Sequence, residues 1–114
     1  MPTKTKCKLQ PTPEDPKCAF KATPDASVTL EIKEVDGGGL IDFQAATYGG
    51  NAIAGTPGKK ITFTIIAGQN DLIVAYSFSK PEGGRGELHE VCDQNTFLGT
   101  IRATSKTVAY TICA

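Results

Sequence analysis

Ile61-Thr62-Phe63-Thr64-Ile65-Ile66, then Ala67-Gly68-Gln69-Asn70-Asp71, then Leu72-Ile73-Val74-Ala75-Tyr76-Ser77-Phe78 reads as strand, break, strand. Ile61, Phe63 and Ile65 alternate with Thr62, Thr64 and Ile66; Leu72, Val74, Tyr76 and Phe78 alternate with Ile73, Ala75 and Ser77. A period of two is the mark of a strand with one buried face. Gly68, Asn70 and Asp71 are residues that turns favour, so a hairpin is expected across 67–71.

The same punctuation continues outward. Val28, Leu30 and Ile32 alternate with Thr29, Glu31 and Lys33; a turn at 36–39 follows; Ile41, Phe43 and Ala45 then alternate with Asp42, Gln44 and Ala46. Residues 48–60 form a long glycine-rich loop in which Ile53 plugs one end of the core. Beyond the tip at 80–86, further strands are expected at 87–92, 97–103 and 107–113. About seven strands in about ninety residues, with no helix and no repeat, point to an all-β chain. The expected architecture is a two-sheet antiparallel β-sandwich of immunoglobulin-like or jelly-roll-like kind, with a small closed β-barrel as the alternative. There is no tryptophan, so any immunoglobulin likeness is architectural. Phe43, Phe63, Val74, Tyr76, Ile101, Val108 and Ile112 lie on the apolar phase and are the expected core.

Residues 1–24 differ from the domain at 25–114. They hold five of the seven prolines (Pro2, Pro11, Pro13, Pro16 and Pro24) and read as an N-terminal arm. Proline fixes φ and removes a donor, which excludes a central strand from 11 to 16, although Cys18-Ala19-Phe20 can pair at an edge. Five lysines against Glu14 and Asp15 give residues 1–22 a balance of +3. The whole chain is neutral, with twelve basic and twelve acidic residues in 114. That balance speaks against nucleic acid as partner. No stretch approaches the ~20 apolar residues of a membrane span. The polar, lysine-rich first ten residues carry no cleavable signal.

Cys7, Cys18, Cys92 and Cys113 are an even set in a small β chain, which implies two disulfides and a secreted or periplasmic setting. The local pairing meets a geometric objection. If 87–92, 97–103 and 107–113 formed a simple meander, Cys92 and Cys113 would lie ~10 Å apart across the middle strand. A disulfide wants Cα atoms within ~7 Å. Either the meander is broken or the arm supplies the partners, and the sequence leaves both open.

Little supports catalysis. The single histidine, His89, reads as a satisfied strand residue; there is no GxSxG elbow, and Glu87 and Glu90 point to opposite faces of a strand. No CxxC or Cys/His cluster suggests zinc. Gly55-Thr56-Pro57-Gly58-Lys59-Lys60 fails the P-loop pattern, since Ile53 stands where its first glycine belongs and Lys60 follows the lysine. Asp36, Asp71, Glu82, Asp93, Asn70 and Asn95 read as turn residues, not as a calcium loop. No cofactor is called for. Thr62, Thr64, Thr100, Thr111 and Ser77 mark wet strand faces that offer hydroxyls. The loops 48–52 and 82–87 are the better candidates, with Tyr48, Asn51, Arg85 and Glu87 as ligand-binding residues. The expected function is a non-enzymatic binding module for a glycan or an extracellular protein. An inhibitor of a secreted hydrolase and a small hydrolase using His89 are the alternatives.

Overall fold

The computed structural model describes residues 6–37, 39–80, 83–93, 96–102 and 106–114. Pro2, Gly38, Pro81, Glu82, Asn95 and Ala103, which figure in the sequence reading, lie outside the described residues. The strands are β1 (Gln10–Pro11), β2 (Phe20–Lys21), β3 (Ser27–Asp36), β4 (Ile41–Tyr48), β5 (Asn51–Ala52), β6 (Lys60–Thr64), β7 (Asp71–Phe78), β8 (Arg85–Glu90), β9 (Thr96–Arg102) and β10 (Thr107–Cys113). The seven expected strands are the long ones; β1, β2 and β5 are two-residue additions. The fold is all-β, in two sheets that do not close into a barrel: six strands in the order β1-β2-β10-β7-β4-β5, and four in the order β6-β3-β8-β9. Among the described residues no helix is long and apolar enough to cross a membrane.

The expected hairpin at 67–71 is not formed. β6 pairs with β3, placing Phe63 opposite Val28, whereas β7 pairs with β4 and β10 in the other sheet. Alternation tells which phase of a strand is buried; it does not tell whether the chain turns back in its own sheet or crosses to the facing one, because both routes bury the same phase. The meander is broken in the same way. β8 pairs with β9, but β10 lies in the six-stranded sheet between β2 and β7.

Cys113 thus ends β10 of the larger sheet while Cys92 follows β8 of the smaller one, and the N-terminal segment supplies both partners. Cys7 bonds Cys92 and Cys18 bonds Cys113, with Cα separations of 5.0 and 5.8 Å. These two disulfides are compatible with an oxidising compartment. β2 runs parallel to β10, with Phe20 opposite Ile112, and Pro11 lies on the outermost strand, where its missing N–H costs no ladder bond.

Six of the seven expected core residues are buried; Val108 is only half-buried, packed against the core from β10. One phase is misjudged. A bulge between Phe43 and Ala45 shifts the register of β4 against β7, so Gln44 and Ala45 both face out and Ala46 and Tyr48 turn in. A bulge inserts one unpaired residue and inverts every side chain after it.

β8 follows strict alternation, with Arg85, Glu87 and His89 on the outer face and Gly86, Leu88 and Glu90 on the inner. Glu90 is therefore carried inward, to 1% exposure, at the strand end beside Cys92. Its carboxylate accepts the backbone N–H of Lys8 at 2.7 Å and of Leu9 at 2.9 Å. Leu9 is thereby held in the core. Glu90→Ala leaves two N–H groups without their acceptor and is expected to lower unfolding stability by about 2–4 kcal/mol, given ~1.5–3 kcal/mol for a hydrogen bond to a charged group. Glu87→Ala, on the wet face, should stay within about 0.5 kcal/mol. Equal urea midpoints for the two variants would show that the disulfides alone hold the N-terminal segment.

Candidate functional site

Three of the four candidate residues fall at two opposite ends of the fold, and Glu87 lies between them. Tyr48 stacks against Phe63, which lies opposite Val28 near the start of β3, while Arg85 lies opposite Asp36 at its end. Eight residues of strand separate those positions, about 25 Å at the rise of an extended chain. No single ligand of modest size can touch Tyr48 and Arg85 together.

At the first end, Tyr48 is not the open aromatic platform the sequence suggests. It is 4% exposed. Its hydroxyl donates to the Gln69 carbonyl at 2.7 Å and accepts the Ile66 N–H at 3.2 Å. The ring fills the core and the hydroxyl orders the 65–70 crossing. Asn51 is exposed on β5, beside a shallow hollow of about 230 Å³ that Thr62, Thr64 and Ile66 also line.

At the second end, the β8–β9 hairpin ladder brings Arg85 directly opposite Arg102, with Asp36 opposite Arg85 on its other side. Like charges facing each other across a ladder are destabilising. Arg85 is half-buried, and its Nε is buried with no hydrogen-bond acceptor among the described residues. A buried N–H left unmade costs ~1–3 kcal/mol. Apolar surface adjoins the pair. Val35, the residue skipped where β3 shifts register between Glu34 and Asp36, is 41% exposed, and Leu40 is 68% exposed. Leu40 is fixed by Ser79, whose hydroxyl takes the Leu40 N–H at 2.8 Å and whose own N–H donates to the Leu40 carbonyl at 2.8 Å. Tyr76 reaches across from the facing sheet and donates its hydroxyl to the Arg102 carbonyl at 3.2 Å.

Between these ends, the outer face of the smaller sheet is a charge ladder. Glu87 takes the fourth candidate position: its Oε1 lies 3.0 Å from His89 Nε2. Phe97 packs edge-on against the His89 ring at 5.7 Å. Glu31, across from His89, meets Lys33 at 3.3 Å and Lys60 at 3.7 Å. Glu87 and His89 meet because residues two apart on a strand share a face. Thr62, Thr64 and Thr100 lie on this face, whereas Ser77 and Thr111 belong to strands of the other sheet. Cys7, Glu90 and Cys92 are the one group of metal-ligating types gathered among the described residues. The disulfide and the two backbone bonds to Glu90 already use them.

Arg102, Val35 and Leu40 escaped the sequence reading. The register supplies the missing signal: once Gly86 pairs with Ile101, Arg85 must face Arg102. Comparisons with protein-family models, curated proteins and solved structures find no match.

Two outcomes follow. Tyr48→Ala should cost about 3–5 kcal/mol, as for other large aromatic cores, and Tyr48→Phe about 1 kcal/mol for its hydroxyl bonds; a Tyr48→Ala melting temperature equal to wild type would return the ring to the surface. Burial raises the Tyr76 hydroxyl above the usual tyrosine range. Burial likewise raises Tyr110, with the charge of Tyr76 adding to it. The folded state favours the neutral hydroxyls, so this stability is intact below the unfolded value of about 10 and falls as pH rises through the higher folded values. Urea unfolding between pH 9 and pH 12 should show a steeper loss for wild type than for Tyr76→Phe.

Proposed function

We propose that this chain is a non-enzymatic binding module of a secreted or periplasmic setting, built as a two-layer β-sandwich, and that it recognises another protein through an acidic segment. The observation that carries the reading is the Arg85–Arg102 pair, in which two arginines stand opposite each other across the β8–β9 ladder and Arg85 Nε lacks an acceptor among the described residues. A partner carboxylate beside Arg102 would offset the like charges; the guanidinium fork suits bidentate binding of that group. Exposed Val35 and Leu40 add apolar area at the same end, the mixture that protein recognition uses.

A protein partner is favoured over a glycan because the aromatic ring that would have served as a sugar platform, Tyr48, is buried. The non-enzymatic reading is supported by His89. Its Nε2 is engaged by Glu87 and its ring lies against Phe97. An inhibitor of a secreted hydrolase would use the same acid-recognising end and is one form of this module.

Titration of ¹⁵N-labelled protein with an oligoglutamate peptide, followed by amide chemical shifts, tests the reading. Shifts should cluster at 36–40, 85 and 102, leave Asn51 unmoved, weaken with salt, and shrink about tenfold in apparent affinity in Arg85→Ala. A neutral oligosaccharide that binds with shifts centred on Asn51, while oligoglutamate does nothing, would overturn it.

A further inference from the structure

The two sheets are of unequal width, and the difference lies on one flank. Tyr76 of β7 bonds Arg102 of β9, and a Cβ placed on Gly99 of β9 would lie 2.5 Å from the Tyr110 hydroxyl of β10. On the opposite flank, Tyr48 of β4 stacks on Phe63 of β6 at 5.0 Å. β9 thus faces β7 and β10, and the larger sheet runs on past β10 to β2 and β1 with no strand of the smaller sheet facing them. A groove of about 520 Å³ lies in that step, lined by Leu98, Phe20, Tyr110 and the proline-rich 11–17 turn.

β9 itself is an open edge. It pairs with β8 on one side, and no described strand pairs with the other. Natural edges are usually blunted by proline, lysine, inward charge or a bulge. Thr96-Phe97-Leu98-Gly99-Thr100-Ile101-Arg102 has no proline, lysine or carboxylate. The register shift opposite Leu88 and His89 leaves Leu98 as an extra residue, and Gly99 to Arg102 then run in regular pairing with β8. Phe97 stands 50% exposed beside it.

Charge identifies the occupant. Along the row Asp36–Arg85–Arg102, the position after Arg102 belongs to whatever strand lies next to β9. A residue there sits ~4.5–5.5 Å from Arg102 at Cβ, the distance of a cross-strand pair. A carboxylate at that position would complete a row that ends in two like charges. On the other face, the same strand would turn alternate side chains toward Leu98 and Tyr110.

We propose that β9 accepts an extended peptide as a fifth strand of the smaller sheet, with an acidic side chain beside Arg102 and apolar side chains in the Leu98–Tyr110 groove. Strand addition of this kind draws affinity from main-chain bonds and specificity from alternate side chains. The inference rests on the reading of Arg85 and Arg102 as an acid-recognising pair and adds the mode of binding.

The probe is a short acetylated and amidated peptide that alternates valine with threonine and carries one glutamate. A lysine version and two N-methylated series, one blocking odd and the other even backbone positions, serve as controls. The glutamate peptide should shift amides 98–102, bind about tenfold more tightly than the lysine peptide, and lose that preference in Arg102→Ala. Methylation should abolish binding in one series and spare it in the other, because only alternate N–H groups of an added strand face β9. Equal binding by both methylated series would overturn strand addition while leaving acid recognition standing. A glutamate preference that survives in both Arg102→Ala and Arg85→Ala would overturn the acid pairing even if the methylation pattern alternates. Absence of binding, or a concentration-dependent dimer that the peptide does not disperse, would overturn the inference outright, the dimer by assigning the edge to a second copy of this chain.

Discussion

The buried carboxylate of Glu90 is the contact on which the rest of the molecule depends. Moving a carboxylate out of water costs several kcal/mol. Two charge-assisted bonds, from the N–H groups of Lys8 and Leu9, offset that cost and fix where the N-terminal segment enters the fold. From that point Leu9 enters the core, Cys7 stands beside Cys92, and the chain continues to β1 and β2, where Phe20 meets Ile112 and Cys18 reaches Cys113. The disulfides span 85 and 95 residues. In the chain-entropy view such long loops constrain the unfolded state strongly. They can form only where the Cα atoms already lie within reach, and the bonds to Glu90 help bring Cys7 there.

The strands were legible because most of the long ones carry a period-two pattern, and pattern is local. Connectivity was not. The 65–70 crossing carries the same glycine, asparagine and aspartate as a hairpin, so nothing in Gly68 or Asn70 tells a turn within a sheet from a passage between sheets. The β4 bulge was equally silent. Gln44, Ala45 and Ala46 are small or polar enough to accept either phase, and only the demand that both Phe43 and Tyr48 be buried selects the shifted one. The cysteine argument fared better because it was geometric: a spacing too wide for a disulfide excluded the local pairing for any simple meander.

The candidate site divides along the same line. Arg85 is a candidate from the sequence because it stands on a glycine-rich tip, a property of neighbours in sequence. Arg102 was missed because its significance lies in the register with Arg85, a property of neighbours in space. Tyr48 failed as a surface ring for the reason the β4 phase failed. Glu90 was read only as the carboxylate facing away from Glu87; the alternation that separated them also carries one to water and the other to the N-terminal segment.

The distribution of anchors along the long axis accounts for how such a surface persists. Glu90, Cys7–Cys92, Cys18–Cys113 and the Tyr48–Gln69 bond all lie toward one end, where β8 and β10 finish. Arg85 and Arg102 lie at the other, beyond exposed Leu40. A like-charge pair and an unmet buried N–H each cost of order 1 kcal/mol, a large share of a small domain's net stability if nothing offsets it. Two long-range disulfides contribute several kcal/mol together. They act on the unfolded chain as a whole, so their effect covers a defect at any position in the fold. The stapled end therefore lets the opposite end keep charges that stability alone would remove.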